Sequence, residues 1–79
     1  MKGYYVTLRD GGRTAWLLGP FQDHAKCKAA VVETVALANL IDARVWFMTH
    51  GTASIESNKF LPPGKLNSRL PHLLEPKES

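Results

Sequence analysis

One cysteine among 79 residues leaves no intramolecular disulfide to form, which excludes the disulfide-stapled secreted scaffolds. No paired Cys/His spacing is present, so zinc ribbons and fingers are excluded too. No apolar run approaches the ~18 residues that a membrane-spanning helix requires, and no membrane partner is expected. No basic start leads into an apolar core, so a secretory leader is not expected. An acidic excess is also missing. Ten Lys and Arg against seven Asp and Glu give +3, the wrong sign for an acidic DNA mimic. Internal repeats and low-complexity runs are absent. The length allows one domain against a usual ~100–200 residues. A chain this short buries only about 60% of its unfolded surface, which leaves little room for a large enzyme cleft. The hydrophobic fraction of 44% still suffices for a packed core.

What is present reads as strand, strand, helix, strand. Residues 4–9 are rich in β-branched and aromatic types, and Tyr4, Val6 and Leu8 alternate with Tyr5, Thr7 and Arg9. Asp10-Gly11-Gly12 supplies the positive φ of a tight hairpin turn. Residues 13–18 return as a second strand, and Gly19-Pro20 is expected to stop it because proline lacks a ladder donor. Asp23 suits a helix N-terminus. From His24 to about Leu40 there is no Gly or Pro and there are five alanines, which predicts one helix. Cys27, Val31, Val35 and Ala38 form its apolar stripe, with Lys26 and Glu33 on a wet face. Leu37, Leu40 and Ile41 do not fit that stripe, so the last turn either is buried on a second side or meets another element. Residues 44–49 read as the third strand, which Thr52 to Ile55 extend if Gly51 does not end it. The fold expected is α+β: a ββαβ core over residues 1–55 with an antiparallel three-stranded sheet and one main helix. A proline- and leucine-bearing tail, residues 56–79, packs on or near the sheet, with a short helical turn from about Lys65 to Leu70.

One helix covers one face of such a sheet. The alternation assigns Tyr4, Val6, Leu8, Ala15, Leu17, Val45 and Phe47 to the helix side. The opposite side then carries Tyr5, Thr7, Arg9, Thr14, Trp16, Leu18, Arg44, Trp46, Met48 and His50. A one-residue slip in the second strand would exchange its two faces. An aromatic, apolar face is costly to leave wet and marks a contact surface. Three occupants compete for it: the tail, a second copy of the chain, or a partner. Trp, Tyr and Arg dominate protein-binding hot spots. Aromatic and Arg side chains on an open sheet also stack the bases of single-stranded nucleic acid. Tyr5, Arg9, Arg13, Trp16, Arg44, Trp46 and Met48 are therefore the candidate contacts. The positive charge is spread evenly along the chain, and no RNP, KH or finger pattern occurs, so nucleic acid ranks behind protein as the partner.

The residue types that carry catalysis are scattered. His24 and Cys27 stand at i, i+3, but a transition-metal site needs three or four ligands and His50 and His72 are isolated. Cys27 lies on the apolar helix stripe and reads as a core residue. Asp10, Asp23, Glu33 and Asp42 have turn, cap, helix-surface and loop positions rather than a shared site. Gly11-Gly12 lacks the strand–loop–helix context of a phosphate loop. No enzyme activity, metal or cofactor is expected.

The run Tyr4 to Gly11, with Arg13 to Phe21, Phe47, Gly51-Thr52 and Pro62-Pro63-Gly64-Lys65-Leu66-Asn67, resembles small proteins encoded by phages and mobile elements of proteobacteria. In size and style it is similar to anti-CRISPR proteins. The resemblance covers most of the chain and its motifs are structural, so it carries no catalytic residue across. It implies a cytoplasmic inhibitor that docks on a Cas or other host-defence complex and blocks DNA binding or nuclease recruitment. A small single-stranded nucleic-acid binder and a phage accessory homodimer are the alternatives.

Overall fold

A computed structural model describes residues 2–74, and residues 75–79 of the expected tail lie outside the described residues. Strands β1 (Lys2–Asp10), β2 (Arg13–Phe21) and β3 (Thr49–Glu56) form one antiparallel sheet in the order β2-β1-β3. Helices α1 (His24–Ala29) and α2 (Val31–Ile41) lie between β2 and β3 in sequence and cover one face of the sheet. The α+β class, the antiparallel sheet and the ββαβ order are those read from the sequence.

Three boundaries differ, each for a local reason. First, β2 does not stop at Gly19-Pro20. It runs on to Phe21, because the register steps twice: Val6 pairs with Leu18 but Tyr4 pairs with Phe21, and Thr7 pairs with Trp16. Gly19 and Pro20 thus sit in a bulge, where no ladder bond falls due and proline's missing donor does no harm. Gly19 adopts φ +147, and a Cβ there would lie 2.7 Å from both the Tyr4 carbonyl oxygen and the Tyr5 ring. The second step also moves Leu18 to the helix side, where it packs with Val6 and Phe21, and not to the opposite side as alternation alone assigns it.

Second, the helix is interrupted at Ala30, which caps α1 at its C-terminus and α2 at its N-terminus. The Thr34 hydroxyl donates to the Ala30 carbonyl at 2.7 Å, a back-bond of the kind that bends helices. Ala30 and Cys27 are both buried in the core at this break.

Third, residues 44–48 are not strand. Ala43–Phe47 is a 3-10 turn. Asp42 accepts the Arg44 amide at 3.0 Å and grips its guanidinium, with Arg44 Nη2 to Oδ2 at 2.8 Å. That local capture overrides the β preference of Val-Trp-Phe, which depends on context. Val45 is buried on the helix side as expected, whereas Phe47 is 89% exposed and not core.

The core has two adjoining parts. Val6, Leu18, Phe21, Cys27, Ala30 and Leu70 make the first, and Leu8, Leu17, Ala38 and Val45 the second. Leu70 belongs to the tail, which wraps the β2 edge. Leu61 comes against Gly3, and the Tyr5 hydroxyl donates to the Pro62 carbonyl at 2.6 Å. The chain then runs along β2, with the amides of Gly64, Lys65 and Leu66 donating to the carbonyls of Gly19, Trp16 and Leu17. A Cβ on Gly64 would meet the Leu17 backbone at 2.6 Å, so only glycine allows this approach. Asn67 holds Gly19 on both sides: its Oδ1 accepts the Gly19 amide at 3.0 Å, and its Nδ2 donates to the Gly19 carbonyl. After the helical turn at Leu66–Leu70, Leu73 and Leu74 reach the first core part, and His72 Nε2 meets Glu33 Oε2 at 2.8 Å.

The wrapped tail should therefore carry stability. Leu70→Ala is expected to lower the unfolding free energy by about 2–5 kcal/mol through lost burial and a cavity. Asn67→Ala leaves the Gly19 amide without its partner, while the Gly19 carbonyl keeps the Gly64 amide, and should lower it by about 1–3 kcal/mol if the amide stays dry. Urea denaturation measures both; unchanged midpoints would mean that the tail does not pack.

Candidate functional site

The seven candidate contacts do not form one surface. Tyr5 is fully buried beneath Pro62, and burial pushes its phenol pKa up. Trp16 is half-buried edge-on to it, with ring centroids 5.4 Å apart. Arg9 and Arg13 are exposed near the hairpin turn. Arg44 is exposed and paired with Asp42. Trp46 and Met48 stand on the helix side of the molecule together with His50, not on the face with Tyr5 and Trp16. The reason is the 3-10 turn: once residues 43–47 leave the sheet, the period of two no longer assigns them a face. His50 itself pairs with Leu8 in β3, and both belong to the helix side.

What Trp46, Met48 and His50 do form is one wall of an apolar groove of about 780 Å3. The other wall is the outer side of α2: Val32, Val35, Ala36, Asn39 and Leu40, with Val45 also lining the groove. Val32 is 80% exposed, Leu40 83% and Trp46 77%. Isolated exposed apolar side chains are ordinary on any protein; contiguous ones lining a groove mark a contact site. Burying one such side chain is worth roughly 1.5–3 kcal/mol, so several left wet together forgo a large stabilisation. No Lys, Arg, Asp or Glu lines the groove. Asn39 Oδ1 is buried there without a hydrogen-bond partner among the described residues.

The two elements that flank the groove are held by different means. α2 is anchored through Thr34 and Ala38, which are buried on its inner side, so Val32, Ala36 and Leu40 are turned outward. The turn is held by Asp42. Hydrogen bonds from the Arg44 side chain, then from its amide, lower the Asp42 carboxyl pKa from 3.8 to about 2. Of Leu37, Leu40 and Ile41, whose misfit to the apolar stripe points to a second buried side or a contact with another element, Leu37 packs on the core and only Leu40 lines the groove. Val32, Asn39 and the outward turn of Trp46 had no signal in the sequence.

The residues with reactive potential lie apart from the groove. The His24 ring stacks on Tyr4 at 5.0 Å, and its Nε2 is 3.0 Å from Thr52 Oγ1. Cys27 is fully buried, and burial pushes its thiol up to about 11. Among the described residues no three of His, Cys, Asp and Glu come together as a metal-binding group, and no helix is long and apolar enough to cross a membrane. Compared with known proteins, the chain matches no family model, no curated protein and no solved structure.

Two measurements check this geometry. An NMR titration of the Asp42 carboxyl should give a midpoint near 2, and Arg44→Ala should return it toward 3.8. The folded value is the lower one, so whatever the Asp42 charge contributes to the turn is complete at neutral pH. It is lost as pH falls from about 4 toward 2. Cys27 should react with an aromatic disulfide reagent only on unfolding; fast labelling of the native protein would contradict its burial.

Proposed function

We propose that the chain is a non-catalytic protein-binding module that takes an apolar segment of a partner protein into the groove between α2 and the 3-10 turn. The observation that carries this reading is the continuous exposure of Val32, Leu40 and Trp46 along one groove. The lining has no cation to meet a phosphate backbone, and Tyr5 is buried, so the groove favours a protein occupant over single-stranded nucleic acid. Trp46 is the central anchor. The setting implied by the resemblance to phage proteins is the bacterial cytoplasm. The partner there is a Cas effector or another host-defence complex, inhibited by occupation of its DNA-binding or nuclease-recruiting surface.

The test is phage plaquing on CRISPR-active cells that express the protein, with purified effector for direct binding. Protection and near-stoichiometric binding are expected. Leu40→Asp and Trp46→Ala should each weaken binding about 30-fold or more, as hot-spot losses do. Both positions are exposed, so stability should move by no more than about 0.5 kcal/mol. Arg9→Ala should leave binding unchanged. Unaltered plaquing together with no effector binding removes the defence-inhibitor reading. Binding that survives both groove variants removes the groove.

A further inference from the structure

The two edges of the sheet are treated differently. The β2 edge is occupied by the backbone of Gly64, Lys65 and Leu66. The β3 edge pairs with no strand among the described residues. Sheet edges are templates for further pairing, and proteins blunt them with Lys, Pro, bulges or covering segments. β3 reads Thr-His-Gly-Thr-Ala-Ser-Ile-Glu. It has no Lys, Arg or Pro, and its ladder with β1 runs without a register shift from Thr49 to Glu56.

The strand is also complementary to itself. Two copies laid antiparallel about a two-fold axis at Ala53 place His50 opposite Glu56 at both ends. The same register places Thr52 opposite Ser54 and Ile55 opposite Gly51. The faces agree: His50, Thr52, Ser54 and Glu56 pair with Leu8, Val6, Tyr4 and Lys2 on the helix side, and Gly51, Ala53 and Ile55 share the other. A Cβ at Gly51 would meet nothing within 4 Å, so the space facing Ile55 of the second copy is open. An imidazole beside a carboxylate and hydroxyl pairs directly across an antiparallel pair can hydrogen-bond and are favourable. A shift of the register by two residues loses both the His50–Glu56 and the Ile55–Gly51 matches.

We propose that this chain forms a two-fold homodimer by antiparallel pairing of β3 with β3 about Ala53, which makes one continuous six-stranded sheet. The occupant of the bare edge is a second copy because the strand's own residues complete the imidazole–carboxylate, hydroxyl and shape matches in a single register. The inference does not rest on the groove reading: it shares His50 with the groove wall but uses neither Val32, Leu40 nor Trp46, and the Ala53→Cys test touches no groove residue.

Sedimentation equilibrium on the full chain should show a dimer whose dissociation constant is micromolar or tighter. Ala53→Cys should form an intermolecular disulfide under mild oxidation, because directly opposed residues have Cα atoms about 4.5–5.5 Å apart, within the range a disulfide spans. Thr49→Cys should not, since the register separates the two copies of that residue by eight positions, roughly 27 Å at about 3.4 Å per residue. The native Cys27 is buried and does not interfere. His50→Glu sets two carboxylates opposite each other at both ends and should weaken the dimer at least tenfold. Adding Glu56→Lys to it should restore the dimer. A monomer at all concentrations overturns the proposal, as does a dimer that cross-links at position 49 and not at 53. Dimerisation that fails leaves binding of effector to the groove variants as a separate readout.

Discussion

The grip of Asn67 on Gly19 is the contact on which the rest of the architecture depends. The double step in the β1–β2 register leaves the Gly19 amide and carbonyl outside the ladder. Buried backbone groups must be paired, and the Asn67 side chain takes both, acting as a short substitute for a neighbouring strand. The step, the glycine and the asparagine form one unit. Without the step Leu18 would face away from Val6. With any side chain at position 19 the Tyr5 ring could not lie where it does. Without Asn67 the step would leave polar backbone unsatisfied.

That grip also determines where the last third of the chain goes. It holds residues 64–66 along β2 and delivers Leu66, Leu70, Leu73 and Leu74 to the helix side of the core. On its way the tail passes over Gly3 and Tyr5, closing that part of the outer face. The surface that looks most available from the strand pattern is thus partly consumed by the protein itself. The exposed apolar surface is displaced to the opposite side, where α2 and the 3-10 turn diverge. α2 buries Thr34 and Ala38 on its inner side, and the Asp42–Arg44 capture holds the turn that carries Trp46 across from Val32 and Leu40.

The hairpin was legible because its signal is local: alternation on either side of a Gly-rich turn. The Asp23 cap was legible for the same reason, and its side chain accepts the Ala25 amide at 2.9 Å. The third strand was legible at Thr49 and from Thr52 onward, but not over residues 44–48. Arg-Val-Trp-Phe has strand-forming residues, yet one carboxylate two positions before Arg44's own turn outcompetes a ladder that has not yet begun at that point. The groove was half legible. Leu40 failed to fit the core stripe, but nothing in the spacing said that Trp46 would come to stand across the groove from it.

Composition and periodicity by themselves determined a small α+β chain, its hairpin, its helical stretch and its need to cover more than one sheet face. These follow from interactions within a few residues of one another, which a sequence displays directly. The tertiary structure alone decided the faces of Leu18, Trp46, Met48 and His50, the burial of Tyr5 and the occupation of the β2 edge. Each of those depends on a contact between segments far apart in the chain, such as Asn67 with Gly19 or Pro62 with Tyr5. No local pattern encodes where such partners meet, because the energy that holds them exists only once both have been folded into place.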